Sequence, residues 1–284
     1  MIKIDASAPS GTKYDEWQIR ASARRDNDIT KWKNDGKLTP GPSPDPKAWK
    51  KIRPKQDQKI WADLKDVFLN EAFNEKCAYC EGNHSSGYPA NVEHYRPKNG
   101  VTENRTQIDH PGYFWLAYEW ENLLLACAHC NGRHPSVRAG KKISHEGKMN
   151  EFRIRGKRVY EPADDQSTWQ RELKDERPLL INPRLNNPAD HIYFLENGML
   201  YHKTPEGEET IEVCDLNRPA LVKERLTWAE NTVRQRINDR LRDIEKDKSK
   251  IDKPLFAPSE PYSAWLNFYA AVLIKRLPMP STTP

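Results

Sequence analysis

The sequence lacks any long apolar run, and this absence limits the class of protein that it encodes. No stretch of its 284 residues approaches the roughly twenty apolar residues that a membrane helix needs, and the N-terminal residues lack the apolar run of a signal peptide. Nine Trp, eleven Tyr and seven Phe nevertheless supply enough apolar surface for a packed core. We therefore expect a globular cytoplasmic protein with no membrane partner.

A strong excess of charge of one sign is also missing. The chain carries 46 Lys and Arg against 41 Asp and Glu, which gives a formal net charge of +5. This balance mildly favours a polyanionic partner, but a solvated surface of mixed sign explains it equally well. Net charge therefore does not decide whether the protein binds nucleic acid.

Cysteine is scarce, and four of the five cysteines form two pairs of identical spacing. Cys77 and Cys80 make one CxxC pair, and Cys127 and Cys130 make the other. In a reducing compartment such pairs bind a metal or act as redox dithiols before they form disulfides. Two pairs that flank one motif favour a structural Cys₄ zinc site, which leaves no coordination position open for catalysis. We expect the fifth, Cys214, to be a small buried residue.

Apolar periodicity predicts helices near both ends of the chain and short strands between them. Helices are predicted over residues 13–34, 60–72, 219–247 and 261–277. Strands are predicted over residues 91–95 and 123–127, which would pair in one hairpin around a long excursion. A second hairpin is predicted around Asn197-Gly198, with a further strand over 210–213. The segment that starts near Cys130 is expected to be helical.

Three short motifs lie between and beside the cysteine pairs. They are VEHYRPK at 92–98, WENL at 120–123 and CNGR at 130–133. In this order they resemble the HNH ββα-metal endonuclease motif, in which an acidic residue and a His end the first strand, an Asn opens the second, and a His or Asn begins the helix. A Glu-His pair alone would more often be a surface accident than a site, so the ordered combination carries the resemblance.

Phosphodiester hydrolysis needs an activated water and a means of neutralising charge on the phosphoryl group. A neutral His94 can remove a proton from water, while Glu93 and Asn131 can ligate Mg²⁺ or another divalent cation. The resemblance gives Asn122 the role of bracing the loop that orients the His. Glu stands where Asp is common and Asn where a third His is common, which leaves the metal preference open. Four further residues are candidate nucleic-acid contacts, with solvated surface charge as the alternative for the first three: Arg96, Lys98, Arg133 and His134.

Residues 76–225 resemble a narrower group, the HNH nuclease subunits of Septu-type antiphage systems (PtuB-like), including retron-associated members. The resemblance is carried by CAYCE at 77–81, VEHYRPK at 92–98, YFWLAYEWENLLLACAHCN at 113–131, PLLINP at 178–183 and DLNRPALVKER at 215–225. It implies an ABC/SMC-like ATPase (PtuA) as partner and, in retron systems, a reverse transcriptase with its noncoding RNA and msDNA. DNA is favoured over RNA as the nucleic acid.

We therefore predict an α+β fold with an HNH ββα-metal core and a Cys₄ zinc site, surrounded by helices and a small β-hairpin. Residues 1–55 would form an N-terminal helix and a Pro-rich linker, because prolines at alternate positions cannot continue a helix. Residues 56–160 would form the zinc-containing nuclease core, and residues 161–284 the hairpin and the C-terminal helices.

Two other functions stay open beside the endonuclease. A nucleic-acid-binding or adaptor subunit would keep the zinc fold without cutting, so that Glu93 and His94 would be dispensable and the cysteines would not. Thiol redox chemistry would need a reactive cysteine of low pKa, and a zinc site that uses both pairs leaves none.

Overall fold

Helices near both ends of the chain enclose small antiparallel sheets. The computed structural model describes residues 1–4, 7–35, 53–65, 69–83, 90–138, 141–246 and 253–276. Within these ranges the chain forms a mixed fold of helices and four two-stranded sheets. The prolines of the predicted linker, at positions 40 to 46, lie outside the described residues.

Three of the four predicted helices are confirmed over nearly their whole length. The helices are α1 (Thr12–Asp35), α2 (Gln58–Leu64), α3 (Asn70–Ala72), α4 (Ala128–Asn131), α5 (Gln166–Asp175), α6 (Pro205–Val213), α7 (Pro219–Lys246) and α8 (Ser263–Arg276). The helix predicted over 60–72 is confirmed only in part, as α2 and the single turn α3, and residues 66–68 lie outside the described ranges. Within the described residues, no helix has the length and apolar character needed to cross a bilayer.

The strand predicted over 210–213 is wrong, because α6 occupies those residues. The Thr204 side chain accepts a hydrogen bond from the Gly207 N–H at 3.3 Å, and Pro205 stands at the first helical position. A Thr cap followed by Pro is a strong helix start, and the carboxylate of Glu206 in the first turn favours the positive end of the helix dipole. These local signals determine the structure here more strongly than the β-branched residues that follow.

The strands pair as four separate ribbons. They are β1 (Ala90–His94), β2 (Thr102–Glu103), β3 (Thr106–Gln107), β4 (Leu123–Cys127), β5 (His134–Arg138), β6 (Lys141–Glu146), β7 (Ile192–Phe194) and β8 (Leu200–His202). The predicted pairing of the first and second motif strands is confirmed, with His94 opposite Leu123 and Glu93 opposite Leu124. The hairpin around Asn197-Gly198 is also confirmed as β7 and β8, and Gly198 has the positive φ of +82° that the turn requires.

Strand β4 lies in the interior, and a very short helix follows it. All five residues of β4, Leu-Leu-Leu-Ala-Cys, are buried, so this strand runs through the core with both faces covered. The helix predicted to start near Cys130 is confirmed only as the single turn Ala128–Asn131, and its predicted continuation is wrong because β5 follows. Gly132 is extended, and Pro135 soon after it cannot continue a helix, so the chain enters β5.

One apolar core joins the three predicted regions. Trp17 of α1, Trp115 near the middle of the chain and Trp265 of α8 are each at most 3% exposed and belong to the same buried cluster. α8 packs against α7, and its buried Trp265 donates a hydrogen bond to the Leu195 carbonyl at 3.0 Å. The predicted boundaries at 55 and 160 therefore separate segments that share a core.

Candidate metal centre and catalytic cleft

Four thiols converge where the turn before β1 meets the end of β4. The sulfur atoms of Cys77, Cys80, Cys127 and Cys130 all lie within 4.8 Å of one another, and all four residues are buried. The Cys80 and Cys127 sulfurs are 3.8 Å apart, which matches the edge of about 3.8 Å in a tetrahedron of Zn–S bonds near 2.3 Å. The cluster can therefore hold a metal ion with the ligand set that zinc favours. Cys214, fully buried as expected, is the fifth cysteine.

Hydrogen-bond donors surround these sulfurs, as thiolates require. Three main-chain N–H groups donate to cysteine sulfurs, each at 3.4 Å: those of Gly82, Cys127 and Cys130. The Arg218 guanidinium lies 3.7 Å from the Cys130 sulfur. Four thiolates around a Zn²⁺ ion would carry a net charge of −2, and Arg218 would offset part of it. In the sequence, Arg218 stands out only as part of DLNRPALVKER, because the contact that gives it a role is with Cys130, 88 residues away.

A cleft of about 260 Å³ lies next to this cluster, and Asn131, the residue after Cys130, lines it. It brings together three side chains of the first motif and one of the third: Glu93, His94, Lys98 and Asn131. β1 supplies the first two, the turn after β1 supplies Lys98, and the last residue of α4 supplies Asn131. The cleft therefore contains an imidazole, a carboxylate, an amide and an ammonium group within one small volume.

His94 is held in one tautomer. Its Nε2 lies 3.0 Å from the Ala117 carbonyl oxygen, which can only accept, so Nε2 carries the proton. Nδ1 therefore holds the lone pair, and it lies 3.2 Å from the Lys98 ammonium at the cleft. Burial, and then the positive charge of Lys98, lowers the pKa of His94 well below its ordinary value. The imidazole is neutral near pH 7 and has the lone pair that a general base needs.

Glu93 is paired with a lysine that the sequence analysis missed. Lys148 is fully buried, and its Nζ lies 2.5 Å from Glu93 Oε1 and 2.9 Å from the His94 carbonyl oxygen. Burial raises the pKa of the Glu93 carboxyl, and the Lys148 ammonium opposes that shift. Lys148 belongs to none of the motifs, so no local pattern could have identified it.

Asn122 connects the two segments that position His94. Its Oδ1 accepts from the Arg96 N–H at 2.7 Å, and its Nδ2 donates to the Arg96 and Leu116 carbonyls, both at 3.1 Å. Leu116 precedes Ala117, whose carbonyl holds the imidazole. The side chain therefore fixes both the residues just after β1 and the loop that contacts Nε2, which is the geometry of the bracing role expected from the motif.

Two of the four candidate nucleic-acid contacts lie away from the cleft. The Arg96 guanidinium turns inward, where its Nε contacts Glu176 Oε2 at 3.0 Å and its Nη2 donates to the Leu173 carbonyl at 2.7 Å. The charge of Arg96 is therefore already paired inside the protein, which disfavours the predicted phosphate contact. His134 begins β5, and its Nε2 lies 3.5 Å from the buried Asp215 carboxylate.

The other two candidates keep positions compatible with substrate contact. Lys98 lines the cleft, with its Nζ 4.8 Å from the centre of the Trp61 ring. Burial lowers the pKa of Lys98, and the Glu93 carboxylate opposes that shift. Arg133 is exposed next to Gly132, which lines the cleft. Both remain predictions as phosphate contacts.

Three proteins of Septu systems are similar to this chain in sequence. A Septu protein PtuB from Bacillus mycoides (strain KBAB4) is 31% identical over 169 residues, which cover 57% of this chain and 50% of the relative. The chain is homologous to the Septu proteins. A second Septu relative, PtuA from the same strain, is 32% identical over 171 residues, or 60% of this chain and 21% of PtuA. PtuB from Bacillus thuringiensis is 29% identical over 152 residues, or 53% of this chain and 40% of the relative.

Each of these matches covers only part of this chain and part of the relative. This chain spans half or less of the length of each of these Septu relatives. No family model matches the chain, and no solved structure matches it. The chemistry of the cleft must therefore be argued from its own residues.

Proposed function

We propose that this chain is a metal-dependent HNH endonuclease that hydrolyses nucleic-acid phosphodiester bonds, with DNA favoured over RNA, as the effector of a Septu-type antiphage system. One observation carries the proposal: the cleft combines a neutral imidazole of fixed tautomer with the oxygen ligands of Glu93 and Asn131. The Septu homology supports the defence context, since both PtuB and PtuA relatives match the chain.

His94 acts as the general base in this proposal. Its Nδ1 takes a proton from the attacking water, while the Nε2–H bond to Ala117 keeps the ring from turning. Lys98, which now donates toward Nδ1, is placed to contact a phosphoryl oxygen and so leave the lone pair to the water.

Glu93 and Asn131 would hold the divalent cation. A carboxylate oxygen and an amide oxygen are ligands that Mg²⁺ and Mn²⁺ accept, with water completing the coordination. When bound, the cation neutralises charge on the phosphoryl oxygens and stabilises the departing oxygen. The four cysteines would hold a structural zinc ion, which has no vacant position and takes no part in hydrolysis.

The partner that we propose is an ABC/SMC-like ATPase of the PtuA type. In retron-associated systems a reverse transcriptase with its noncoding RNA and msDNA would join the assembly. The match of this chain to both PtuB and PtuA supports a PtuA/PtuB partnership.

Cleavage by matched histidine variants tests the proposal. Wild type, His94→Ala and His202→Ala are purified with zinc and assayed on plasmid DNA and on RNA with Mg²⁺, alone and with the ATPase. His202, a partly exposed residue of β8, controls for loss of any imidazole. We expect cleavage by wild type and His202→Ala and none by His94→Ala. Equal cleavage by all three proteins would refute His94 as the base.

A non-cutting nucleic-acid-binding or adaptor subunit is the second candidate. It is favoured by the burial of Glu93 and His94, which are 5% and 4% exposed and both contact lysines. This function predicts that Glu93→Gln and His94→Ala leave nucleic-acid binding and phage protection unchanged. The endonuclease predicts that the same variants bind and fail to protect.

A further inference from the structure

The Lys148 ammonium group is buried beside the cleft and contacts three oxygen atoms. Its Nζ lies 2.5 Å from Glu93 Oε1, 2.9 Å from the His94 carbonyl oxygen and 3.3 Å from the Met149 carbonyl oxygen. The contact with Glu93 is an ion pair, and the two carbonyl oxygens accept hydrogen bonds from the ammonium group. The side chain is 0% exposed, and its charge is compensated by one carboxylate and two carbonyl dipoles.

The backbone fixes this lysine relative to α4. The Lys148 N–H donates to the Cys130 carbonyl at 2.8 Å, and the Met149 N–H donates to the Asn131 carbonyl at 2.7 Å. Gly147 has a φ of +108°, and a Cβ atom there would lie 1.7 Å from the Gly132 carbonyl oxygen. The segment is therefore packed directly on the short helix that supplies Asn131, and it holds Lys148 against Glu93.

A carboxylate that already contacts an ammonium through one oxygen has one oxygen left for a cation. Calcium takes six to eight oxygen ligands and often binds a carboxylate through both oxygens. Magnesium prefers an octahedral site with one or two carboxylates and several waters. Occupation of Glu93 Oε1 therefore penalises calcium more than magnesium or manganese.

We propose that Lys148 is a positioning residue that restricts Glu93 to one-oxygen ligation and so makes the cleft select Mg²⁺ and Mn²⁺ over Ca²⁺. The inference rests on the proposed function, because it takes Glu93 as a ligand of the divalent cation. It adds the determinant of cation choice, which lies outside all three sequence motifs.

Charge alone would have a different effect from occupation of an oxygen. Any lysine in the cleft repels every divalent cation, so its removal strengthens the binding of all of them in similar proportion. Lys98 provides the comparison, because its Nζ lies 3.2 Å from His94 Nδ1 and lines the same cleft. The ratio of the calcium and manganese dissociation constants therefore separates the two effects.

Calorimetric titration of the zinc-loaded full chain with MnCl₂ and CaCl₂ tests the proposal. Wild type should bind Mn²⁺ more tightly than Ca²⁺. Lys148→Met should bind both more tightly and reduce the Ca²⁺-to-Mn²⁺ ratio of Kd by about tenfold, the effect of one added ligand contact of ordinary strength. Lys98→Met should strengthen both and leave the ratio unchanged. A wild-type ratio in Lys148→Met would overturn the proposal.

A measurement on wild type covers the case in which Lys148→Met does not fold. Crystals of the wild-type protein grown with Mn²⁺ should show the ion on Glu93 Oε2 with Lys148 still on Oε1. Bidentate Glu93, or Lys148 displaced from it, would overturn the proposal. If wild type binds neither cation, the metal site of the proposed function itself is wrong, which is a different result from binding with an unchanged ratio.

Discussion

Replacement of Asn122 by Ala tests whether the Asn122 side chain positions the His94 imidazole in the cleft. The wild-type side chain is 5% exposed and makes three hydrogen bonds to the main chain of Arg96 and Leu116. Ala makes none of them, so the Arg96 N–H and carbonyl lose their partner, and the Leu116 carbonyl keeps only the Glu119 N–H at 3.2 Å. Leu116 directly precedes Ala117, whose carbonyl oxygen accepts the hydrogen bond from His94 Nε2. Loss of the Asn122 contact to Leu116 therefore loosens the loop that holds the imidazole.

The expected magnitude follows from those three groups. A buried polar group left without a partner costs about 1–3 kcal/mol, and water entering the vacated space satisfies part of the loss. We expect the free energy of unfolding to fall by about 2–4 kcal/mol relative to wild type. A shift of about 1 Å in a catalytic group costs on the order of a hundredfold in rate. We therefore expect kcat for nucleic-acid cleavage to fall about a hundredfold, with KM little changed.

Two measurements separate positioning from stability. Urea unfolding with excess zinc gives the free energy, and steady-state cleavage at a temperature where the variant is folded gives kcat. Asn91→Ala, an exposed position in β1, is the control and should change neither quantity appreciably. If Asn122→Ala is destabilised yet cleaves with the wild-type kcat, the side chain supports the fold and does not position His94.

Three further outcomes are expected elsewhere in the molecule. Cys127→Ser should retain less than one equivalent of zinc by atomic absorption and melt at a lower temperature, and a full equivalent would contradict the Cys₄ site. Arg96→Met leaves the fully buried Glu176 carboxylate without its cation, so urea unfolding should show a loss of about 3–5 kcal/mol; wild-type stability would contradict the internal role of Arg96. Burial lowers the pKa of His110 to about 3, so below its unfolded pKa near 6.5 the unfolded state binds a proton that the folded state excludes. As the pH falls from 6.5 toward 3, the free energy of unfolding of wild type should therefore fall by up to about 1.4 kcal/mol per pH unit. Its advantage over His110→Gln, which lacks the imidazole, should shrink between pH 7.5 and pH 5. An advantage that stays constant with pH would refute this explanation.

Local patterns in the sequence predicted the elements whose causes are local. Each CxxC pair brings two thiols together within one turn, so the cysteine cluster could be predicted from the sequence. The apolar run of β4 is only five residues long, which favours a buried strand and allowed the β1–β4 pairing to be predicted. The hairpin at Asn197-Gly198 was equally clear, because the turn residues specify it. The helix at 205–213 also has a local cause, the Thr204 cap before Pro205, and this start signal overrides the strand preference of its β-branched residues.

The remaining site residues depend on contacts between distant segments. Lys148 reaches Glu93 only because residues 148–149 pair with α4, and a lone lysine carries no sequence signal of burial. Arg96 has a charge that suits a phosphate or a carboxylate equally well, and its partner Glu176 lies 80 residues away. Charged residues near a motif are therefore the assignments that sequence alone determines least.

The four residues of α4 have a practical consequence for anyone who assays this protein. Cys130 and Asn131 are consecutive, so one helical turn carries both a thiolate of the zinc cluster and an amide that faces the cleft. If both centres bind metal as proposed, a chelator such as EDTA would act on both at once. Inhibition by EDTA would therefore be no measure of a catalytic cation by itself, and replenishment with magnesium alone would restore activity only to molecules that had kept their zinc.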